Sequence, residues 1–194
     1  MSYLPARSIT RRLFAAAAAA AAAGAIASAA CAASSPPAAH AAPVIPACTG
    51  TTSLGAWIAV SLGSEASGTT YYPLEFTNTG GYTCSLSGYP VVSAISRAGV
   101  RLGSPAGRGL LTIAPRVVLA PGATAHTTLA YHGRLVSTGG GCGPVDTAVE
   151  LRVYLAGQKR ATYAAFGFQA CSHAGPVYLT ITEPIRAGVG TNKG

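Results

Sequence analysis

The sequence predicts an all-β domain, a sandwich or a barrel, behind an N-terminal export signal. Three observations predict it: runs in which apolar and polar residues alternate, turn residues set between those runs, and four widely spaced cysteines that follow a secretory start. The chain has 194 residues, enough for one domain with tails. Hydrophobic residues make up 49% and charged residues 9%, which excludes a disordered protein, because disorder needs high charge and few apolar groups. Basic residues number 13 against 5 acidic, a formal charge of +8.

The first element is an address. Arg7, Arg11 and Arg12 precede an apolar run from Leu13 to Ala30 that is mostly alanine. This is the layout of a secretory signal. The run is short and alanine is a weak membrane former, so a stable span is not expected. Thr10-Arg11-Arg12-Leu13-Phe14 also resembles a twin-arginine export motif, beside the plainer reading of an ordinary basic n-region. Two processing routes compete. Ala39-His40-Ala41 is an A-x-A site, which would remove residues 1–41 as a signal peptide and start the mature chain at Ala42, cutting between Ala41 and Ala42. Ser28-Ala29-Ala30-Cys31 resembles a lipoprotein box, although Ser28 stands where leucine is usual. On that route residues 1–30 leave, Cys31 carries lipid, and 31–47 is an Ala/Pro/Ser tether. The A-x-A site fits its rule better. Either route removes the three early arginines and leaves ten basic residues against five acidic.

The body reads as strands and turns. Leu54, Ala56, Ile58, Val60 and Leu62 fall on one strand face, with Trp57, Ala59 and Ser61 on the other. Trp57 is expected to pack on a second layer or on a disulfide. Tyr72, Leu74 and Phe76 alternate with Pro73, Glu75 and Thr77, which predicts a strand with Glu75 toward solvent. Asn78-Thr79-Gly80-Gly81 is a turn signal. Leu119-Ala120-Pro121-Gly122 carries Pro and Gly in the order of a type II turn. Ser137-Thr138-Gly139-Gly140-Gly141 reads as a flexible connection. Val149, Leu151, Val153 and Leu155 alternate with Glu150, Arg152 and Tyr154, and Val177, Leu179 and Ile181 with Tyr178, Thr180 and Thr182. Past residue 48 no apolar stripe of helical period is sustained.

The cysteines are Cys31, Cys48, Cys84, Cys142 and Cys171. Processing takes Cys31 out of the thiol pool. An even four remain, which in an exported chain reads as two disulfides. No C-x-x-C is present, so neither a zinc site nor a redox motif is expected. Four cysteines allow three connectivities. The expected one is Cys48–Cys84 with Cys142–Cys171, because each pair flanks strand candidates whose ends can meet.

Leu74-Glu75-Phe76-Thr77-Asn78-Thr79-Gly80 is followed by Cys84-Ser85-Leu86-Ser87-Gly88-Tyr89-Pro90-Val91-Val92, then by Leu119-Ala120-Pro121-Gly122-Ala123-Thr124-Ala125 and Cys142. In this order the segments resemble the exported actinobacterial proteins grouped as domain-of-unknown-function family 4232, over roughly Cys48 to Pro184. The resemblance implies an extracytoplasmic, immunoglobulin-like antiparallel β-sandwich, here taken as residues 48–186 with a flexible tail at 187–194. It carries over no catalytic residues.

Chemistry is sparse. Gly63-Ser64-Glu65-Ala66-Ser67-Gly68 does not match the G-x-S-x-G nucleophile elbow. The acids past the signal are Glu65, Glu75, Asp146, Glu150 and Glu183, and their spacing shows no converging pair. His126 and His132 share strand parity and could join His173 in a three-histidine metal site; scattered surface histidines are the plainer reading. The only methionine is Met1, which excludes methionine-based copper capture. Arg97, Arg101 and Arg108 cluster along a Gly/Pro-rich segment and could attract anionic wall polymer or lipid headgroups, or simply confer solubility. Export argues against a nucleic-acid partner despite a pI near 9.6. Trp57 and the tyrosines could stack on carbohydrate, or serve as strand-face filler. The expectation is a secreted, non-enzymatic module without a cofactor that binds an envelope or extracellular partner, touching membrane only through lipid at Cys31. The alternative is a metal-binding or enzyme-accessory protein using His126, His132 and His173.

Overall fold

The computed structural model describes residues 44–49, 53–109, 112–138 and 141–191. The signal peptide, the cut between Ala41 and Ala42, and lipidation at Cys31 lie outside the described residues. The strands in chain order are β1 (Leu54–Ile58), β2 (Ser64–Ala66), β3 (Thr69–Asn78), β4 (Cys84–Leu86), β5 (Val91–Ser96), β6 (Arg101–Leu102), β7 (Gly107–Arg108), β8 (Val117–Leu119), β9 (Thr124–Tyr131), β10 (Val145–Tyr154), β11 (Thr162–Cys171), β12 (Leu179–Ile181) and β13 (Arg186–Ala187). Helix is confined to a 3-10 turn at Val60–Leu62 and to α1 (Gly133–Ser137) among the described residues.

The larger sheet runs β1-β3-β9-β12-β7, with β2 added to β3 and β13 to β9; the smaller runs β11-β10-β5-β6, and β4 pairs with β8. Every pairing is antiparallel except β12 with β7. Taking β1, β3, β5, β9, β10 and β11 as strands A, B, C, E, F and G gives A-B-E in one sheet and G-F-C in the other. That is the immunoglobulin arrangement. Strand β12 fills the place of D beside E, arriving from the C-terminal side of G.

Alternation builds the core. Leu74 and Phe76 on β3 and Leu129 on β9 join Leu151, Val153 and Ala164 of the other sheet in one buried cluster. Tyr72 meets Phe166 edge-on at 5.0 Å, and Tyr131 meets Phe168 at 5.2 Å, so aromatic pairs tie the two sheets together. The turn after β8 is as expected: Ala123 N–H donates to Ala120 C=O at 3.0 Å, with Pro121 and Gly122 between and Gly122 at φ 78°. The β2–β3 hairpin turns on Ser67 and Gly68, both at positive φ, the mirror-image turn that matches strand twist.

The disulfides are Cys48–Cys84 and Cys142–Cys171, each with Cα atoms 4.9 Å apart and all four cysteines fully buried. The first ties the N-terminal segment to β4, where Ser85 N–H donates to Pro46 C=O at 2.8 Å and Cys48 N–H to Ser85 C=O at 3.0 Å. The second closes the open end of the β10–β11 hairpin, where Val145 pairs with Cys171.

Several expectations change. The folded domain begins before Cys48, since Ile45 accepts a hydrogen bond from Arg116 and Ala47 bridges Ser85, so 44–47 is docked chain rather than tether. It also extends past 186: residues 188–191 lie on the larger sheet instead of trailing as a tail. The first strand stops at Ile58, and Val60 sits exposed in the 3-10 turn. Trp57 is 45% exposed on the outer face, donating weakly to Thr77 Oγ1 at 3.4 Å. Conversely, Tyr178 precedes β12 and is buried, its hydroxyl donating to Leu102 C=O at 2.8 Å. A bulge between Ala148 and Glu150 puts Ala148 in the core where alternation pointed to Val149.

Candidate functional site

Strand register lines up the outer face of the larger sheet. Trp57 on β1 is opposite Glu75 on β3, Glu75 is opposite His126 on β9, and His126 is opposite Arg186 on β13. Directly opposed residues share a face, so these four form one row across the sheet. The next row places Pro73 against Thr128, whose carbonyl accepts from Thr182 N–H at 3.0 Å.

The segment after β13 folds across these rows as a strap. Gly188 N–H donates to Thr124 C=O at 2.9 Å. The Gly188 carbonyl can only accept, so at 2.8 Å His126 Nδ1 carries the proton. Gly190 N–H donates to Glu75 Oε1 at 2.8 Å. The strap passes so close that a Cβ on Gly190 would lie 2.5 Å from Pro73 Cβ, which is why glycine stands there.

Glu75 is therefore fully buried, contrary to its expected place toward solvent. Its Oε2 has no hydrogen-bond partner among the described residues. Burial pushes its carboxyl above the ordinary carboxylate range, while the Gly190 hydrogen bond and the His126 ring pull the other way and lose. At the strap's base, Glu183 Oε2 meets Arg186 Nε at 2.8 Å and Glu183 Oε1 accepts from Thr128 Oγ1 at 2.7 Å.

Beside the strap opens a pocket of about 440 Å³. The 3-10 turn and β2 supply Leu62, Ser64, Glu65 and Ala66 to its wall. Tyr71 and Pro73 of β3 form its apolar floor, and Thr128, Thr182 and Thr191 add hydroxyls. Among the described residues no basic side chain lines it.

The other sequence candidates are dispersed. His126 and His132 sit six positions apart on and just beyond β9, about 20 Å at strand rise, too far to share an ion. His132 holds Thr69 and Thr180 hydroxyls at 3.0 Å each, and His173 holds Ser172 Oγ at 3.0 Å. No cluster of three metal-ligating side chains occurs among the described residues. Arg97 lies in the turn between β5 and β6 and Arg101 on β6, whereas Arg108 is on β7 of the other sheet, so the arginine group is divided between two sheets. Among the described residues no helix is long and apolar enough to cross a membrane.

The family model for a domain of unknown function, DUF4232, matches residues 48–182. The chain belongs to the DUF4232 family. No curated protein matches it, and no solved structure does. The family match covers most of the sandwich and stops within the pocket wall: Thr182 is its last residue, and the strap from Arg186 to Thr191 lies beyond it. Thr128, Thr182 and Thr191 carry no motif in the sequence that marks them as site residues. The available signal was Glu75 itself, an acid between Leu74 and Phe76 in a strand that becomes interior to the sheet, together with a small, glycine-rich C-terminal run, Gly188-Val189-Gly190, able to lie on it.

Proposed function

We propose that this DUF4232 chain is an exported, non-enzymatic binding module of the cell envelope or its surroundings, and that the pocket beside the strap holds its ligand. The observation that carries the reading is the pocket itself: about 440 Å³, walled by paired strands, with an apolar floor and convergent hydroxyls. Ligand sites of this kind span roughly 300–1,000 Å³ and combine apolar walls with a few placed polar groups. Export is supported by the basic-then-apolar N-terminus and by two disulfides, which persist in oxidising compartments. The module is released at Ala42 or held by lipid at Cys31.

Ligand-detected binding to fractionated envelope components tests the reading, with Tyr71→Ala as the comparison. Enrichment by the wild type that Tyr71→Ala loses is expected; equal capture by both proteins overturns it. Intact mass of the exported product is expected to start at Ala42 or at a lipid-modified Cys31. A product that retains Met1 overturns the export step.

A further inference from the structure

We infer that the pocket recognises a primary alkylammonium group, an amine head on an aliphatic chain; this rests on the binding reading above and names the ligand's chemistry. An unpaired carboxylate on the wall, beside two hydroxyls whose protons are already committed, carries the inference. Thr128 Oγ1 spends its proton on Glu183 Oε1 at 2.7 Å, so only its lone pairs are left for a ligand. Thr182 Oγ1 directs its proton to Thr128 C=O at 3.4 Å and is left in the same state. Glu65 on the pocket wall adds a carboxylate, which accepts only. It makes no hydrogen bond or ion pair among the described residues. The pocket wall thus carries two hydroxyls left as acceptors and an unpaired carboxylate, beside the Ser64, Tyr71 and Thr191 hydroxyls, which can donate or accept, and no basic residue among the described residues.

An ammonium supplies three N–H donors and accepts nothing, which complements such a wall. A carboxylate or phosphate would face the like charge of Glu65 with no basic residue among the described residues to offset it. A neutral polyol would leave the Glu65 carboxylate without a counter-charge. The floor completes the match: Leu62, Ala66 and Pro73 give apolar surface for methylenes, and the Tyr71 ring gives a π face for the cation. The ten-to-five basic excess past the signal makes this pocket the exception to the molecule's overall charge. The amine could come from a free diamine or from a lysine-type side chain in a peptide, and both present the same head group.

The test is titration of the purified protein with 1,5-diaminopentane, Nα-acetyl-lysine methylamide, pentanoate and glucose at fixed ionic strength, followed by amide resonances. Expected are saturable shifts at Glu65, Thr128 and Thr182 with the two amines, and none with pentanoate or glucose. If the diamine alone shifts them, the source is a free amine; if the lysine derivative binds more tightly, it is a peptide. Glu65→Gln, on an exposed hairpin, is expected to weaken amine binding about fivefold without lowering the melting temperature. Thr128→Val is a second probe of the same wall. Shifts of equal size with pentanoate, shifts only outside the pocket, or unchanged affinity in Glu65→Gln overturn the inference. Diaminopentane is also added to the envelope-binding experiment. Capture that Tyr71→Ala abolishes but diaminopentane does not displace overturns the amine while leaving the binding reading standing. Loss of capture by both proteins fails the binding reading itself.

Discussion

Removing the Cys142–Cys171 disulfide is expected to cost this domain much of its stability margin. Both cysteines are fully buried, and the bond encloses a sequence separation of 29. Closing a loop of that length in the unfolded chain is worth about 3.6 kcal/mol on the chain-entropy account. A domain of this size gains roughly 0.3 kcal/mol per degree in unfolding entropy, so the melting temperature is expected to fall by about 12 °C. The loss also acts locally. The bond clamps the end of the β10–β11 hairpin, next to the Val145–Cys171 pairing and the 3.0 Å bond from Ser172 N–H to Pro144 C=O. The double variant Cys142→Ala with Cys171→Ala avoids a lone thiol and a buried hydroxyl. Calorimetry beside the wild type at one pH reads the effect. A drop of less than about 4 °C would refute the entropic reasoning, and peptide mapping that links Cys48 to Cys142 or Cys171 would refute the pairing.

Three further outcomes are expected. Asn78 is fully buried and its Nδ2 donates to Tyr82 C=O at 2.9 Å and Leu119 C=O at 3.0 Å, while its Oδ1 accepts from Gly80 N–H at 3.0 Å; Asn78→Ala is therefore expected to cost about 2–4 kcal/mol in denaturant unfolding, and a cost under about 1 kcal/mol would count against that network. Glu75 has a folded-state carboxyl raised by burial above its ordinary 4.5, so its contribution is fully present below that value and is lost as pH rises through the raised one; the stability of wild type relative to Glu75→Gln is expected to decline from acid toward neutral pH, and a flat difference would show the burial effect is absent. Leu151→Ala removes a fully buried side chain from the inter-sheet core and is expected to cost about 2–5 kcal/mol, read as a lower midpoint in urea, whereas a surface-like cost under about 0.5 kcal/mol would place Leu151 outside the core.

The strand content and the turn at Pro121–Gly122 were legible because each depends on neighbours in the chain; the two cysteine pairs, 36 and 29 residues apart, were legible only through the strand ends they flank. Alternation over Val149–Leu155 assigns residues to two faces, and the side chains of Leu151 and Val153 are buried as that assignment requires. Pro121 fixes one backbone angle and Gly122 accepts a positive one, whatever lies around them. Alternation failed where a single inserted residue shifted the register, at the Ala148/Glu150 bulge. Shared parity put His126 and His132 on one face, but parity says nothing of separation along the strand, about 20 Å here.

Period-two patterning thus determined, from sequence alone, that two faces exist on each strand and that one of them is apolar. It could not determine what covers the other. Glu75 and Trp57 share one outer face and differ in fate: the first is sealed under Gly190, 115 residues further along the chain, and the second is left half open at the sheet edge. Tyr178, outside its strand, is buried because β6 brings Leu102 C=O to its hydroxyl from 76 residues away. Local sequence sets backbone conformation and side-chain direction within a few residues. Burial, hydrogen-bond direction and the pocket between strap and hairpin depend on surfaces brought together by sheet closure, so only the tertiary structure decided them.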